Sequence, residues 1–201
     1  DIQSTLQGPC EILEIPGAFM KTVFRRDAEW LKVQQGKFHP ELTELLNLID
    51  QRDSCTEGLI DWAWLDKYLT SGKGDIVRIC SGWRTAAEQQ AIIDKAKRER
   101  KVLSKAAPMQ SFHNWGLAVD LVFTAIAYGK LEIDHVVYDF NGPSGYVKTG
   151  FPKFWHDVGK KYDAVWGGEW TDLDDYDHFQ VTKNVPVEAA YAMAGWWTVP
   201  G

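Results

Sequence analysis

The run Leu117-Ala-Val-Asp120-Leu-Val-Phe123 sets one carboxylate inside a segment that otherwise reads as a buried strand. A buried carboxylate is costly unless it is paired, hydrogen-bonded or bound to a cation. Any fold of this chain must therefore bring a partner to Asp120. His113 stands seven residues upstream, across Gly116. A glycine there lets the chain turn sharply and return the imidazole to the carboxylate. Imidazole and carboxylate are both ligand types that zinc accepts. The same pattern also fits an Asp120 that pairs with an arginine or caps backbone amides, with His113 in a surface loop.

A second segment, Trp166-Gly-Gly-Glu-Trp170-Thr-Asp172-Leu-Asp174-Asp175-Tyr-Asp177-His178-Phe-Gln180, carries four aspartates just before a histidine that enters a strand pattern. Aspartates alone would read as a solvated acidic loop or a calcium-type cluster, but a calcium loop has no use for His178. If His178 joins His113 and Asp120, three protein ligands leave a fourth position for water, as in catalytic rather than structural zinc sites. Such a site also needs a carboxylate that takes and returns protons. Asp172, Asp174, Asp175 and Asp177 all compete for that role.

A third segment, Ser81-Gly82-Trp83-Arg84-Thr85, places Arg84 between a strand end and a helix start. An arginine so placed can bind a carboxylate or stabilise a developing oxyanion. It reads equally as a structural surface arginine.

Around these segments the chain shows no internal repeat and no low-complexity linker. Gly8-Pro9 and Pro16-Gly17 mark turns, and residues 27–35 suit a short helix. Leu42, Leu45, Leu46 and Ile49 repeat at helical spacing behind Pro40, and residues 59–70 also look helical. Residues 71–74 form a loop and residues 76–80 a strand, and Thr85 to Glu88 matches a capping box that opens a helix over 86–100. Residues 124–150 read as irregular with a turn at Asn141-Gly142-Pro143, residues 152–162 as a helix, 178–182 as a strand and 186–195 as a last helix. The expected architecture is α+β: a small, mostly antiparallel sheet with flanking helices, preceded by a helical N-terminal segment. Residues 1–70 would form that extension, packed on a catalytic domain over residues 71–201.

Composition narrows the function classes. A net charge of −6 argues against a nucleic-acid partner, which needs a basic face. No apolar run approaches the ~18 residues of a membrane span. Cys10, Cys55 and Cys80 form no CxxC pair, so a thiolate zinc finger is not expected, and their pairing is open. The chain begins at Asp1, which leaves room for a leader or anchor outside it. His39 and His156 read as structural or exposed, whereas His135, behind Glu132 and Asp134, could belong to a groove wall.

Together, Ser81-Gly-Trp-Arg84, Ser111-Phe-His113-Asn-Trp-Gly116-Leu-Ala118-Val-Asp120 and Asp175-Tyr-Asp-His178 resemble the motifs of the M15-type zinc peptidases. That group comprises D-alanyl-D-alanine dipeptidases and carboxypeptidases and the L-alanyl-D-glutamate endopeptidases of phage endolysins. The likeness covers roughly residues 76–182, and Trp166-Gly-Gly-Glu-Trp170 looks most like the endolysin branch. The resemblance implies one zinc per chain held by His113, Asp120 and His178, Asp175 as general base and acid, and Arg84 polarising the scissile carbonyl. Many relatives carry Glu where Asp175 stands. Ser111, Trp83, Trp166 and Gln180 are the expected substrate contacts, and Trp115 and Trp170 also flank the motifs.

The implied activity is hydrolysis of the peptidoglycan peptide stem, foremost as an L-alanyl-D-glutamate endopeptidase. A D-alanyl or L,D-carboxypeptidase is the alternative, and a zinc-stabilised wall-binding domain without catalysis is the alternative of another class. The implied place of action is the periplasm or cell envelope, with an envelope or secretion-machinery partner; a phage lysis protein would instead wait in the cytoplasm. No wall-binding repeat is recognisable, and the acidic balance suits recruitment by a partner better than unaided adhesion to an anionic wall.

Overall fold

Helix starts in this chain are written in its short polar side chains. In the computed structural model, which describes residues 22–69, 76–100 and 106–182, the Asp27 carboxylate accepts from the amides of Glu29 and Trp30 and opens α1 (Ala28–Gln34). His39 caps α2 (Pro40–Asp50), with proline in the first turn where its missing N–H costs nothing. The apolar stripe of α2, Leu42, Leu45, Leu46 and Ile49, is fully buried, worth roughly 1.5–3 kcal/mol per side chain before entropy is counted. Asp61 accepts from the Trp64 amide, so α3 (Trp62–Tyr68) starts after Leu59 and Ile60, later than the apolar pattern alone suggests. Thr85 and Glu88 form the expected capping box at the head of α4 (Ala86–Glu99).

Four strands make one antiparallel sheet in the order β1-β2-β6-β5. These are β1 (Val77–Ser81), β2 (Ala118–Phe123), β5 (Ala164–Trp166) and β6 (His178–Val181). The α+β architecture expected above is the one observed. β2 lies in the middle, and its Asp120 sits opposite His178 on β6 and Ser81 on β1. Alternation along each strand then sorts the side chains. Val119, Leu121 and Phe123 of β2 and Phe179 and Val181 of β6 enter the hydrophobic core, while Asp120, His178 and Gln180 face a cleft. Under the core face, α6 (Phe151–Gly159) supplies Phe154 and Trp155. Trp155 packs edge-on against Phe179 and donates its indole N–H to the Gln180 carbonyl.

Residues 124–150 are more ordered than expected. They hold a hairpin, β3 (Lys130–Ile133) with β4 (Val136–Asp139), followed by α5 (Pro143–Thr149). The hairpin turns on Asp134 and His135, both in the left-handed region with φ of 50° and 65°, the geometry of a two-residue turn that matches strand twist. His135 therefore serves this turn and does not line the cleft. The helix expected over 152–162 ends earlier, with a 3-10 turn over Lys160–Tyr162 leading into the short β5. One apolar cluster runs from Val23 and Phe24 through α1, α2 and α3 into the sheet. The loop at 71–74, the turns before residue 22 and the helix at 186–195 lie outside the described residues.

Candidate metal centre

The histidine motif folds as its glycine predicts. Ser111 Oγ accepts from the His113 amide and opens a 3-10 turn over Phe112–Trp115. Gly116 ends it at φ 65°, a conformation that side chains other than glycine rarely adopt. The chain then enters β2, and His113 hangs over the middle of the strand. The facing register of β2 and β6 adds the third group.

The ligand atoms converge. His178 Nδ1 lies 3.0 Å from Asp120 Oδ1, His113 Nε2 lies 3.3 Å from the same oxygen, and the two ring nitrogens are 3.3 Å apart. A tetrahedral ion with bonds of about 2.0 Å has ligand–ligand edges of about 3.3 Å, so the triangle has the size zinc requires. Each imidazole is also held from behind. His113 Nδ1 sits 3.0 Å from the Gly82 carbonyl, and His178 Nε2 sits 2.9 Å from Gln180 Oε1. Both acceptors require an N–H, which leaves the other nitrogen of each ring as a lone pair aimed at the centre. Metal-binding histidines are oriented in this way. The residues thus fit a zinc ion on distance, tautomer and donor chemistry.

Electrostatics agree. Burial alone would raise the Asp120 carboxyl, but the two imidazoles outweigh it and hold Asp120 far below the usual carboxylate range. Burial lowers His113 and favours its neutral form. His178 is raised: burial opposes its charge, but the Asp120 hydrogen bond prevails. In the metal-free protein His178 is therefore the ligand that protons reach first.

A cleft of about 450 Å³ opens over the three ligands. Arg84 lines it; burial lowers its guanidinium while Asp120 and Asp175 support the charge. Its Nε is buried without a protein partner. Asn114, itself buried, fixes the backbone of this loop by donating to the carbonyls of Arg84 and Thr85 and accepting from the Met109 amide. The acidic segment forms another wall, with Trp170, Leu173, Asp174, Asp175 and Asp177. Gly167 lets this wall close, since a Cβ there would stand 2.4 Å from the Asp175 carbonyl. Asp177 is pushed up to about 7, by burial first and then by the charge of Asp120.

Of the expected substrate contacts, Ser111 lines the cleft, though its hydroxyl also caps the 3-10 turn. Gln180 lines it too, but its amide oxygen is committed to His178. Trp166 requires correction: it is buried in the core, stacked with Phe179, and its N–H is bound to the Tyr176 carbonyl. Trp83 also lies off the cleft, packed against the core under the Lys37 ammonium. The aromatics that do reach the cleft are Trp170, whose ring stands 5.0 Å from that of His178, together with Phe112 and Tyr128. His39 caps α2, and His156 pairs with Glu169. The sequence reading took Gln180 for a substrate contact and missed its place behind His178, although residues two apart on a strand share a face. Tyr128 and Asn114 carried no such signal.

The Gln180 contact has a measurable consequence. Gln180→Ala is expected to weaken zinc binding by about 10- to 100-fold, the usual effect of losing a partner behind a ligand. Competition with a chromophoric chelator measures this. An unchanged affinity would mean that His178 holds its tautomer without help.

Residues 104–181 match the M15 peptidase family model described as D-alanyl-D-alanine carboxypeptidase. The chain is also similar to the peptidoglycan L-alanyl-D-glutamate endopeptidase CwlK of Bacillus subtilis (strain 168), at 24% identity over 125 residues, covering 59% of this chain and 68% of that protein. Among solved structures it is similar to the L-Ala D-Glu endopeptidase ChiX of Serratia marcescens, with a TM-score of 0.43 and 20% identity over 82% of this chain and 93% of that one. The matched residues 104–181 contain His113, Asp120, Asp175 and His178.

Proposed function

We propose that this chain is a zinc-dependent peptidoglycan hydrolase that cuts the peptide stem between L-alanine and D-glutamate. The observation that carries the reading is the convergence of His113, Asp120 and His178 on one point, with both imidazoles held from behind, on the floor of a cleft. A zinc ion held by His113, Asp120 and His178 would supply Lewis-acid polarisation and make water more acidic. The chain's own residues do the rest. Asp175 accepts the proton of the attacking water and returns it to the leaving amine. Arg84 holds the scissile carbonyl oxygen as its charge develops. Its unpartnered Nε leaves a donor in reserve. Gln180 and the Gly82 carbonyl keep the imidazoles aimed, and Trp170, Leu173 and Tyr128 offer the stem an apolar wall.

Endopeptidase action is preferred to trimming of a terminal residue for an electrostatic reason. A carboxypeptidase needs a cation for the terminal carboxylate, and among the described residues that line the cleft Arg84 is the one fixed cation. If Arg84 serves the scissile carbonyl, no second cation among the described lining residues is left for an end group. The family description favours the carboxypeptidase as the second reading. Such an enzyme works where the wall is, in the periplasm or cell envelope, with recruitment by an envelope partner. No helix among the described residues is long and apolar enough to cross a membrane. We read the helical stretch through residue 70 as an extension of the catalytic domain, because its described part shares one core with the sheet.

Mass spectrometry of products from defined muropeptides tests the assignment. The expected products are a muramyl fragment ending in L-alanine and a peptide beginning with D-glutamate. Release of D-alanine alone would move the activity to the carboxypeptidase, and intact substrate after zinc loading would remove the hydrolase reading.

A further inference from the structure

The loop between β1 and α4 carries Arg84 to the cleft, and its four successive carbonyls, from Gly82 to Thr85, each meet a side-chain nitrogen. His113 Nδ1 stands 3.0 Å from the Gly82 carbonyl, and Asn114 donates to the carbonyls of Arg84 and Thr85 at 2.8 and 3.2 Å. Those three contacts come from the histidine motif. The remaining one comes from another part of the chain. Lys32 on α1 donates from its ammonium to the Trp83 carbonyl at 3.1 Å, across 51 residues. The same ammonium donates to Glu29 Oε1 at 2.7 Å, one turn back on the helix.

Lys32 is no solvated surface charge. Its side chain and that of Glu29 are each 26% exposed, so the ammonium has given up rotamer freedom and part of its water to hold this place. The loop lies close against it: a Cβ on Gly82 would stand 2.4 Å from the Phe38 ring and 2.9 Å from Glu29 Oε2. Arg84 depends on such support. Its Nε is buried without a partner among the described residues, and a long side chain without hydrogen bonds of its own points where its backbone sends it. The peptide unit that enters Arg84 is held at both ends. Lys32 takes its carbonyl, that of Trp83, and its N–H, that of Arg84, donates to the His113 carbonyl at 3.3 Å.

We propose that Lys32 is a positioning residue of the peptidase reaction: it clamps the Trp83–Arg84 peptide unit and so aims the Arg84 guanidinium at the scissile carbonyl. The inference rests on the hydrolase reading given above and deepens it. It makes α1, which lies outside residues 104–181, a working part of the catalytic apparatus. Charge on the carbonyl oxygen develops only as the reaction proceeds, so a loosened Arg84 costs turnover rather than substrate binding.

The test is steady-state kinetics of Lys32→Met in the zinc-loaded full chain on a defined muropeptide. Methionine keeps most of the apolar stem and removes the ammonium, and thermal melting checks the fold. A kcat lower by about tenfold is expected, part of the roughly 10²- to 10³-fold that full removal of an oxyanion donor costs. KM should stay within about twofold, and zinc near one per chain. Arg84→Ala and the double variant complete a cycle: once Arg84 is gone there is nothing left to aim, so adding Lys32→Met should slow the enzyme no further. An unaltered kcat, a loss confined to KM, loss of zinc, or losses that multiply would each overturn the inference. Should Lys32→Met fail to fold because it strands the Glu29 carboxylate, Lys32→Met combined with Glu29→Gln is read in its place; failure of both to fold would make the link structural and overturn the inference. An inactive unmutated protein sinks the hydrolase reading and this inference with it, whereas an active one indifferent to Lys32→Met sinks only the inference.

Discussion

Asp120→Asn is expected to empty the metal centre and abolish hydrolysis while leaving the sheet in place. Asparagine has nearly the same shape, so β2 keeps its pairing with β1 and β6. What disappears is the charge that both imidazoles face at 3.0 and 3.3 Å. A neutral amide is a poor zinc ligand, and its NH₂ group can turn a donor toward the lone pairs of the rings. Losing a partner behind a ligand already costs about 10- to 100-fold in affinity, so loss of a ligand should cost roughly 10³-fold or more. Metal analysis after gel filtration should find zinc near one per chain in the unmutated protein and near zero in the variant. Zinc retained at full stoichiometry in Asp120→Asn would show that the ion binds elsewhere.

Acidity should act on the same site with a definite sign. His178 has its pKa raised in the folded, metal-free protein, chiefly against the pull of burial and through Asp120. Its protonation therefore stabilises the metal-free fold fully below the ordinary histidine value, and this contribution is lost as pH rises through the raised value. Zinc needs the same imidazole neutral, so loading follows the opposite trend and releases protons. Mild acid should shed zinc before it unfolds the chain, because Asp120 stays charged far below the usual carboxylate range and keeps His178 as its partner.

The convergence of His113, Asp120 and His178 was legible in the sequence because its demands are local and severe. An aspartate amid Leu117–Phe123 has to find a partner, and Gly116 puts His113 within reach. His178 was harder, since only the antiparallel register of β2 and β6 brings it opposite Asp120. Helix starts were also readable, because Asp27, His39 and Thr85 act within three residues of themselves. The hairpin at 130–139 was not, because strands of four residues carry little periodicity and Asp134-His135 is not a common turn pair. The tryptophans misled for a related reason. Trp83 and Trp166 stand beside motif residues in the chain, yet a side chain's face is set by strand alternation and by what lies beneath it. Trp166 faces Phe179, while Trp170, four residues on, faces His178. Tyr128 belongs to the site purely through tertiary contact, 49 residues from Asp177.

Asp175→Ala separates catalysis from metal binding, and so separates an enzyme from a zinc-stabilised wall-binding domain. Asp175 lines the cleft but is not one of the three converging ligands. Its backbone carbonyl, which accepts from His178, survives the substitution. Zinc should therefore remain near one per chain. Catalysis should fall by about 10²- to 10⁴-fold, the range for loss of a general acid–base. Glu at this position offers a finer test: Asp175→Glu should retain much of the activity if one extra methylene still reaches the attacking water, whereas Asp175→Asn, nearly isosteric but unable to accept a proton, should be as slow as the alanine variant. A wall-binding domain gives a different pattern, in which the loaded, unmutated protein adheres to sacculi, releases no fragments, and is indifferent to all three substitutions. One carboxylate decides between the two, because the metal ligands serve both readings equally, whereas only an enzyme has work for a proton acceptor beside them.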